Sequence, residues 1–422
     1  MHIRIIYIVF SILILFSACA TYQSTTKNSN LNVSFIYNPG STTLHPEYIV
    51  FNETDTSSKI FFKIKSNELM YSNDGSGSKA NVKIRYFLYN TSKNMLLCDS
   101  NTFIYHLNIP QNNTTIIKSF EISVRDTFNY FLDISIYDLN QERGNQCFLN
   151  IDRKQKINPN DAVFLDKNGL PYFNVSYTNK DTFFIALRKG LPEKWRVSWF
   201  PNKFGLRPVP YSLGNFSRLL IPKPDSTRIL YINDTTPFVM NRSGMMHFYQ
   251  DTLKNGFTVK SFDPSFPDVT TPVYLLQPLR MLTSSKEFSE MNLLANKKEA
   301  VDKFWLDAGG NSNRSRELIR VFYTRVKLAN QYFTSYSEGW KTDRGLIYIV
   351  FGLPVTIYKS DNIERWIYGT SQSNKTLVFN FVRQSTPFTM NDYVLSRDEM
   401  YKISWTQAVD TWRNGKVYSV AY

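Results

Sequence analysis

Histidine and cysteine are scarce, four and three among 422 residues. His45, His106 and His247 stand far apart, and no Cys/His set has the spacing of zinc ligands. There is no Gly-rich phosphate loop, no Gly-x-Ser-x-Gly elbow and no His-Glu-x-x-His. No metal and no cofactor is expected. Beyond the first residues, no apolar run is long enough to span a membrane. The net charge is +14, yet the basic residues are scattered, with no dense block. That distribution speaks against nucleic acid as a partner. It fits a solvated surface that tolerates anionic lipid headgroups or other acidic envelope polymers.

The start of the chain is different. His2 and Arg4 precede an apolar run, Ile5 to Phe16, and Ser17 and Ala18 precede Cys19. This is the layout of a secretory signal. The end, Phe16-Ser17-Ala18-Cys19, resembles the lipobox of bacterial lipoproteins, with Phe16 where leucine is usual. The resemblance implies cleavage of residues 1–18 and a lipid on Cys19. Each buried methylene contributes about 0.8 kcal/mol, so two or more acyl chains anchor firmly. Residues 19–31 are polar and read as a flexible tether. No acidic residue directly follows Cys19, which favours a protein that faces the periplasm from the outer membrane.

The remaining cysteines, Cys98 and Cys147, lie in an oxidising compartment on this reading. A disulfide would close a loop of about 50 residues and contribute on the order of 4 kcal/mol. Two free thiols are the equal alternative.

The mature chain, 422 less 18 residues, has length for two or three domains. From 32 to 151, short runs rich in β-branched and aromatic residues alternate with turn signals such as Asn73–Gly77 and Gln111–Asn113. They include Ile60–Lys65, Val82–Tyr89, Phe103–Leu107, Thr115–Val124 and Tyr130–Tyr137. An all-β, immunoglobulin-like sandwich is predicted. Asp152–Asn160 is polar, carries a proline and reads as a linker. A second β-sandwich is predicted over 161–262. Its strands are Ala162–Leu165, Phe173–Tyr177, Phe183–Leu187, Arg196–Phe200, Arg228–Ile232 and Gly256–Lys260. The long Pro201–Pro224 connection is a surface excursion or a binding loop.

Residues 280–422 are helical first. Val301, Phe304, Trp305 and Ala308 share a face within Lys298–Ala308, and Gly309-Gly310 stops that helix. Leu318, Phe322, Val326, Ala329 and Phe333 form the apolar stripe of a longer helix, capped by Asn313 or Ser315. Leu346–Phe351 is continuously apolar and predicts a buried strand. Glu364, Trp366 and Tyr368 then share one face of another strand. A last helix is predicted over Asp398–Arg413.

Between these lie Gly339-Trp340-Lys341-Thr342-Asp343, then Arg344-Gly345, Gly352 and Pro354. This segment resembles the GWxTD domain family. The similarity takes in Trp305, Tyr323, Arg325, Asn330, Arg397 and Trp412, and covers roughly residues 280–420. The resemblance implies a bacterial envelope protein, often of Bacteroidetes, with an α+β (α/β) domain behind β-rich regions. It implies no catalytic role.

Read physically, Gly339 is a left-handed helix terminator and Gly345 lets a strand pack closely. Arg344 pairs with Glu338 or Glu364, and the Asn330 amide holds the loop. Either Asp343, Arg344 and Glu364 form a cleft for a ligand or acid–base work, or they satisfy a buried junction. The second is favoured, since no histidine or cysteine lies nearby. The function expected is a membrane-anchored envelope lipoprotein that binds or scaffolds another envelope protein. The alternative is a carboxylate-dependent enzyme on an envelope glycan or peptide. The β-rich part should form an arm with the motif domain at its far end.

Overall fold

The computed structural model describes residues 31–419, except 74–77, 109–114, 126, 215–221, 234, 252–254, 361 and 370–375. The signal segment 1–18, Cys19 and the tether up to residue 30 therefore lie outside the described residues. So do most of the Asn73–Gly77 and Gln111–Asn113 turn signals.

The first unit is β-rich. Its strands are β1 (Glu47–Asn52), β2 (Ser57–Lys65), β3 (Ser72–Asn73), β4 (Ser78–Asn90), β5 (Leu96–Asn108), β6 (Thr115–Ser123), β7 (Tyr130–Asp138) and β8 (Arg143–Ile151). One sheet has the order β1-β2-β6; the other has β3-β4-β7-β8, with β5 also paired to β4. Burial alternates along β2 and β4, as expected of strands with one face on a core. Ile60 and Phe62 from the first sheet share that core with Val82, Ile84, Leu132 and Ile134 from the second.

Cys98 and Cys147 are both free thiols. Cys147 pairs in register with Ile134 on β7, and β7 and β4 stand between β8 and β5. Three strand spacings amount to about 14 Å, twice the roughly 7 Å that a disulfide tolerates between Cα atoms. Proximity in sequence composition did not become proximity in the sheet.

The second unit contains β9 (Ala162–Leu165), β10 (Thr182–Leu187), β11 (Lys194–Phe200), β12 (Ser226–Tyr231), β13 (Phe238–Val239), β14 (Gly244–Tyr249) and β15 (Gly256–Ser261). They form the sheets β13-β10-β9 and β12-β11-β14-β15 around a core with Phe183, Trp195, Phe248 and Phe257. Phe173–Tyr177, predicted as a strand, is irregular. Its Tyr177 ring is buried and its Tyr177 N–H donates to the Lys260 carbonyl at 2.9 Å. β14 escaped the sequence reading because all six residues are buried, so the polar/apolar alternation is missing.

The expected linker is a buried junction. Asn158 and Asp161 form a reciprocal capping box, and Arg153 is 2% exposed. Asn52 at the end of β1 donates to Asp161 at 2.7 Å. Arg188 Nε lies 3.7 Å from the same carboxylate. The polar residues that resembled a solvated linker spend their hydrogen bonds on one another.

The third unit has α1 (Pro272–Leu276), α2 (Ser285–Leu293), α3 (Lys297–Gly309), α4 (Ser312–Phe333), α5 (Asp343–Phe351) and α6 (Tyr401–Arg413). Its antiparallel sheet is β16 (Thr356–Lys359), β17 (Ile363–Tyr368), β18 (Leu377–Arg383) and β19 (Tyr393–Leu395), in that order. The predicted stripe on α4 is buried, but the cap is Asn311, which accepts from Arg314 N at 3.0 Å. Leu346–Phe351 is helix, not strand. An apolar run that short fits either element, and here a helix is covered on every side: all nine residues of α5 are buried.

The largest correction concerns shape. Residues 32–37 do not join the first β unit. They pack on the third, where Val33 and Tyr37 enter the core with Phe333, Trp340 and Trp366. The chain thus enters the structure at the motif unit, and a β arm carrying that unit at its far end is not what forms.

Candidate functional site

The α4 helix ends at Phe333, and Gly339–Lys341 makes a single 3-10 turn before α5. Gly339 is not left-handed. It is glycine because a Cβ would lie 1.9 Å from the Ala329 carbonyl oxygen. Gly345 has the same constraint against the Gly339 carbonyl, again at 1.9 Å. The two glycines thus let α4, the turn and α5 touch backbone to backbone. Thr342 caps α5: its Oγ1 accepts from Gly345 N at 3.1 Å and donates to Gly339 O at 2.7 Å. Asn330 holds the turn as expected, accepting from Trp340 N at 3.2 Å and donating to Pro267 O at 2.8 Å.

The far end of α5 is closed by Gly352 (φ 85°) ahead of Pro354. Its last carbonyls are satisfied by distant residues. Arg325 Nη1 donates to Ile349 O at 3.1 Å, Trp412 Nε1 to Val350 O at 3.0 Å, and Tyr368 OH to Gly352 O at 2.8 Å. Burial pushes the Arg325 guanidinium down to about 10.

Asp343 and Arg344 are adjacent in sequence and serve different partners. Asp343, 0% exposed, accepts from Leu395 N at 3.0 Å and forms a short ion pair with Arg397. Burial pushes its carboxyl above the usual range, against the pull of Arg397 and the backbone N–H. Arg344 reaches Glu364 at 3.0 Å and lies 4.0 Å over the Tyr393 ring. Glu338, the other candidate partner, pairs instead with Lys341 at 2.8 Å.

Glu364 is the centre of the site. It too is 0% exposed, and shares the inner face of β17 with Trp366 and Tyr368. Besides Arg344 it accepts from Lys359 at 3.0 Å, Trp366 Nε1 at 3.2 Å and Tyr37 OH at 2.8 Å. Burial works to raise its pKa, but Lys359 and Arg344 outweigh that and hold the carboxyl at about 2. Tyr37 and Lys359 went unrecognised in the sequence. No local signal could reveal Tyr37, which lies 327 residues away from Glu364.

The Pro201–Pro224 connection, in its described part, covers the motif. Arg207 N donates to Lys341 O at 3.0 Å and its guanidinium to Tyr336 OH at 2.6 Å. Asn202 donates to Glu338 at 3.1 Å, and Arg397 donates to Pro208 O at 3.1 Å. Phe200 and Met245 of the second unit pack with Tyr336 and Phe388 of the third. In its described part the loop is therefore engaged in internal contacts with the motif unit.

The fold and site thus define a mostly β-sheet chain with a C-terminal helical region, organised about two buried arginine–carboxylate pairs. Residues 244–414 match the family model of the GWxTD domain, so this part of the chain is a GWxTD domain. The match begins at β14, upstream of the boundary near 280 expected from the sequence, and takes in Met245 of that strand, which packs with Tyr336 and Phe388. No curated protein matches the sequence. Among solved structures, similarity extends to a calcium-binding mutant of Bacteroides uniformis β-glucuronidase 2, at 12% identity and a TM-score of 0.19. It covers 39% of this chain and 16% of that one. Red sea bream transglutaminase is similar at 11% identity and a TM-score of 0.20, covering 53% of this chain and 32% of that one. The chain spans less than a third of either protein, and likenesses this weak assign nothing.

Proposed function

We propose that the protein is a lipid-anchored component of the bacterial cell envelope that binds or scaffolds a partner protein and does no chemistry at its motif. The lipobox-like Phe16–Cys19 sequence supports the anchor, and outer-membrane attachment facing the periplasm is the location this reading takes. The two β units, read as immunoglobulin-like sandwiches, serve as spacers and docking modules. One observation carries the non-catalytic half: Asp343 and Glu364 are both 0% exposed and saturated by internal partners. A general acid or base must reach the proton it moves, and neither carboxylate has an open side.

The test is photo-crosslinking in intact cells from Ile403, a 71% exposed position on α6. A reproducible envelope protein is expected. Absence of any adduct from Ile403 and from comparable exposed positions on the β units would overturn the proposal. Hydrolysis of an envelope glycan that is lost in Asp343→Asn or Glu364→Gln, with the fold retained, would establish the enzyme instead.

A further inference from the structure

The chain reaches its first described contacts at a sheet edge. Asn32 Nδ2 donates to Val355 O at 3.0 Å, Asn32 Oδ1 accepts from Ile357 N at 3.0 Å, and Val33 N donates to Ile357 O at 2.8 Å. These contacts line the outer edge of β16, the end strand of the four-stranded sheet. Tyr37 locks the segment by inserting against Phe333 and Trp366 and bonding Glu364. The entry point is therefore fixed on the third unit.

The inner face of that sheet carries Glu364, Trp366 and Tyr368. Alternation sends Ile363, Arg365 and Ile367 to the opposite face. Register places Val382 opposite Ile363, Val378 opposite Ile367, and Tyr358 opposite Arg365. Ile363 is 47% and Val382 38% exposed. Among the described residues of β16–β18 this face carries Arg365, Tyr358, Asn380, Thr356 and aliphatic side chains, and no carboxylate.

We infer that the outer face of β16–β18 lies on the lipid bilayer and sets the orientation of the whole molecule. The inference rests on the lipid anchor proposed above. From Cys19 to Asn32 is 13 residues, which extended reach about 45 Å at most. The anchored bilayer is thus held within one domain length of this face. Tethering raises its effective concentration, so a modest amphipathic surface suffices for docking. Aliphatic side chains enter the headgroup region, while tyrosine and arginine keep their polar ends in water. The two β units then project away from the membrane, with the motif unit nearest to it.

The experiment uses the full, lipidated protein in vesicles of phosphatidylethanolamine and phosphatidylglycerol, with Cys98→Ser and Cys147→Ser to clear the background thiols. An environment-sensitive dye is placed by Asn380→Cys on this face, or by Lys167→Cys on the hairpin of the second unit. Headgroup-level quencher lipids should quench the dye at 380 at least about twofold more than the dye at 167, as expected of a face within 5–10 Å of the acyl boundary. Ile363→Asp with Val382→Asp should abolish that difference while the protein still floats with vesicles. Flotation with equal quenching at the two positions overturns the orientation and leaves the anchor standing. Failure of the purified protein to float, or flotation unchanged by Cys19→Ala, overturns the anchor and the inference with it.

Discussion

Two regions bury a carboxylate beside arginine with different results. In the third unit, Glu364 has two cations at 3.0 Å and two further donors, and its carboxyl is held at about 2. At the junction of the β units, Asp161 is equally inaccessible, but its closest donor is the neutral Asn52 amide at 2.7 Å, with Arg188 at 3.7 Å. There burial dominates, and the carboxyl is pushed above its ordinary value. Burial raises a carboxylate's pKa by itself; cations in contact must exceed that penalty before the charge is favoured. Glu364 is a charge the fold requires, and Asp161 is one the fold tolerates.

The strongest way to break this contrast is Glu364→Gln. It strands Arg344 and Lys359 without a counter-charge, and the expected loss is about 3–5 kcal/mol by urea denaturation. Asp161→Asn should cost clearly less, about 1–3 kcal/mol, since an amide can keep part of the Asn52 and backbone bonding. Equal losses would show that contact cations are not what separates the two sites. Tyr37→Phe comes next. It removes one hydrogen bond to a charged group, with about 1.5–3 kcal/mol expected, and it should raise proteolysis near residues 32–40 before any other region.

The pH response sharpens the contrast further. The folded Glu364 pKa lies below its unfolded value, so its contribution is full above about 4.5 and is lost as pH falls toward about 2. Asp161 has a folded pKa above its unfolded value, so its contribution is present at low pH and is lost as pH rises through the folded pKa. The stability gap between the protein and Glu364→Gln should widen from pH 2 to 5, and the gap for Asp161→Asn should narrow as pH rises above 4. The smallest effect is expected from Cys98→Ser, within about 0.5 kcal/mol. Thiol titration should count both cysteines free, with exposed Cys98 reacting first and Cys147 slowly, because burial pushes its thiol up to about 11.

Most individual elements could be read from the chain. The strands with one solvent face, such as β2 and β4, and the stripe of α4 carry their periodicity in the residues themselves. Elements buried on all sides carry no such signature. Hence the residues of β14 show no strand alternation, and the apolar run of α5 fits a buried strand as well as a helix. The site was half legible: Gly339-Trp340-Lys341-Thr342-Asp343 identified the segment, and the Arg344–Glu364 pair was one of two expected. Its other members were not: Tyr37 lies 327 residues from Glu364, and Lys359 meets it only because β16 and β17 pair with Lys359 opposite Glu364.

Local pattern therefore determined the β-rich start, the helical C-terminal region and the family, since periodicity and short spacings are properties of neighbouring residues. Tertiary structure alone decided that α5 is a helix, that residues 32–37 belong to the motif unit, and that Cys98 and Cys147 stay apart. Each depends on which surfaces meet, and that is settled by the burial of faces contributed from opposite ends of the chain.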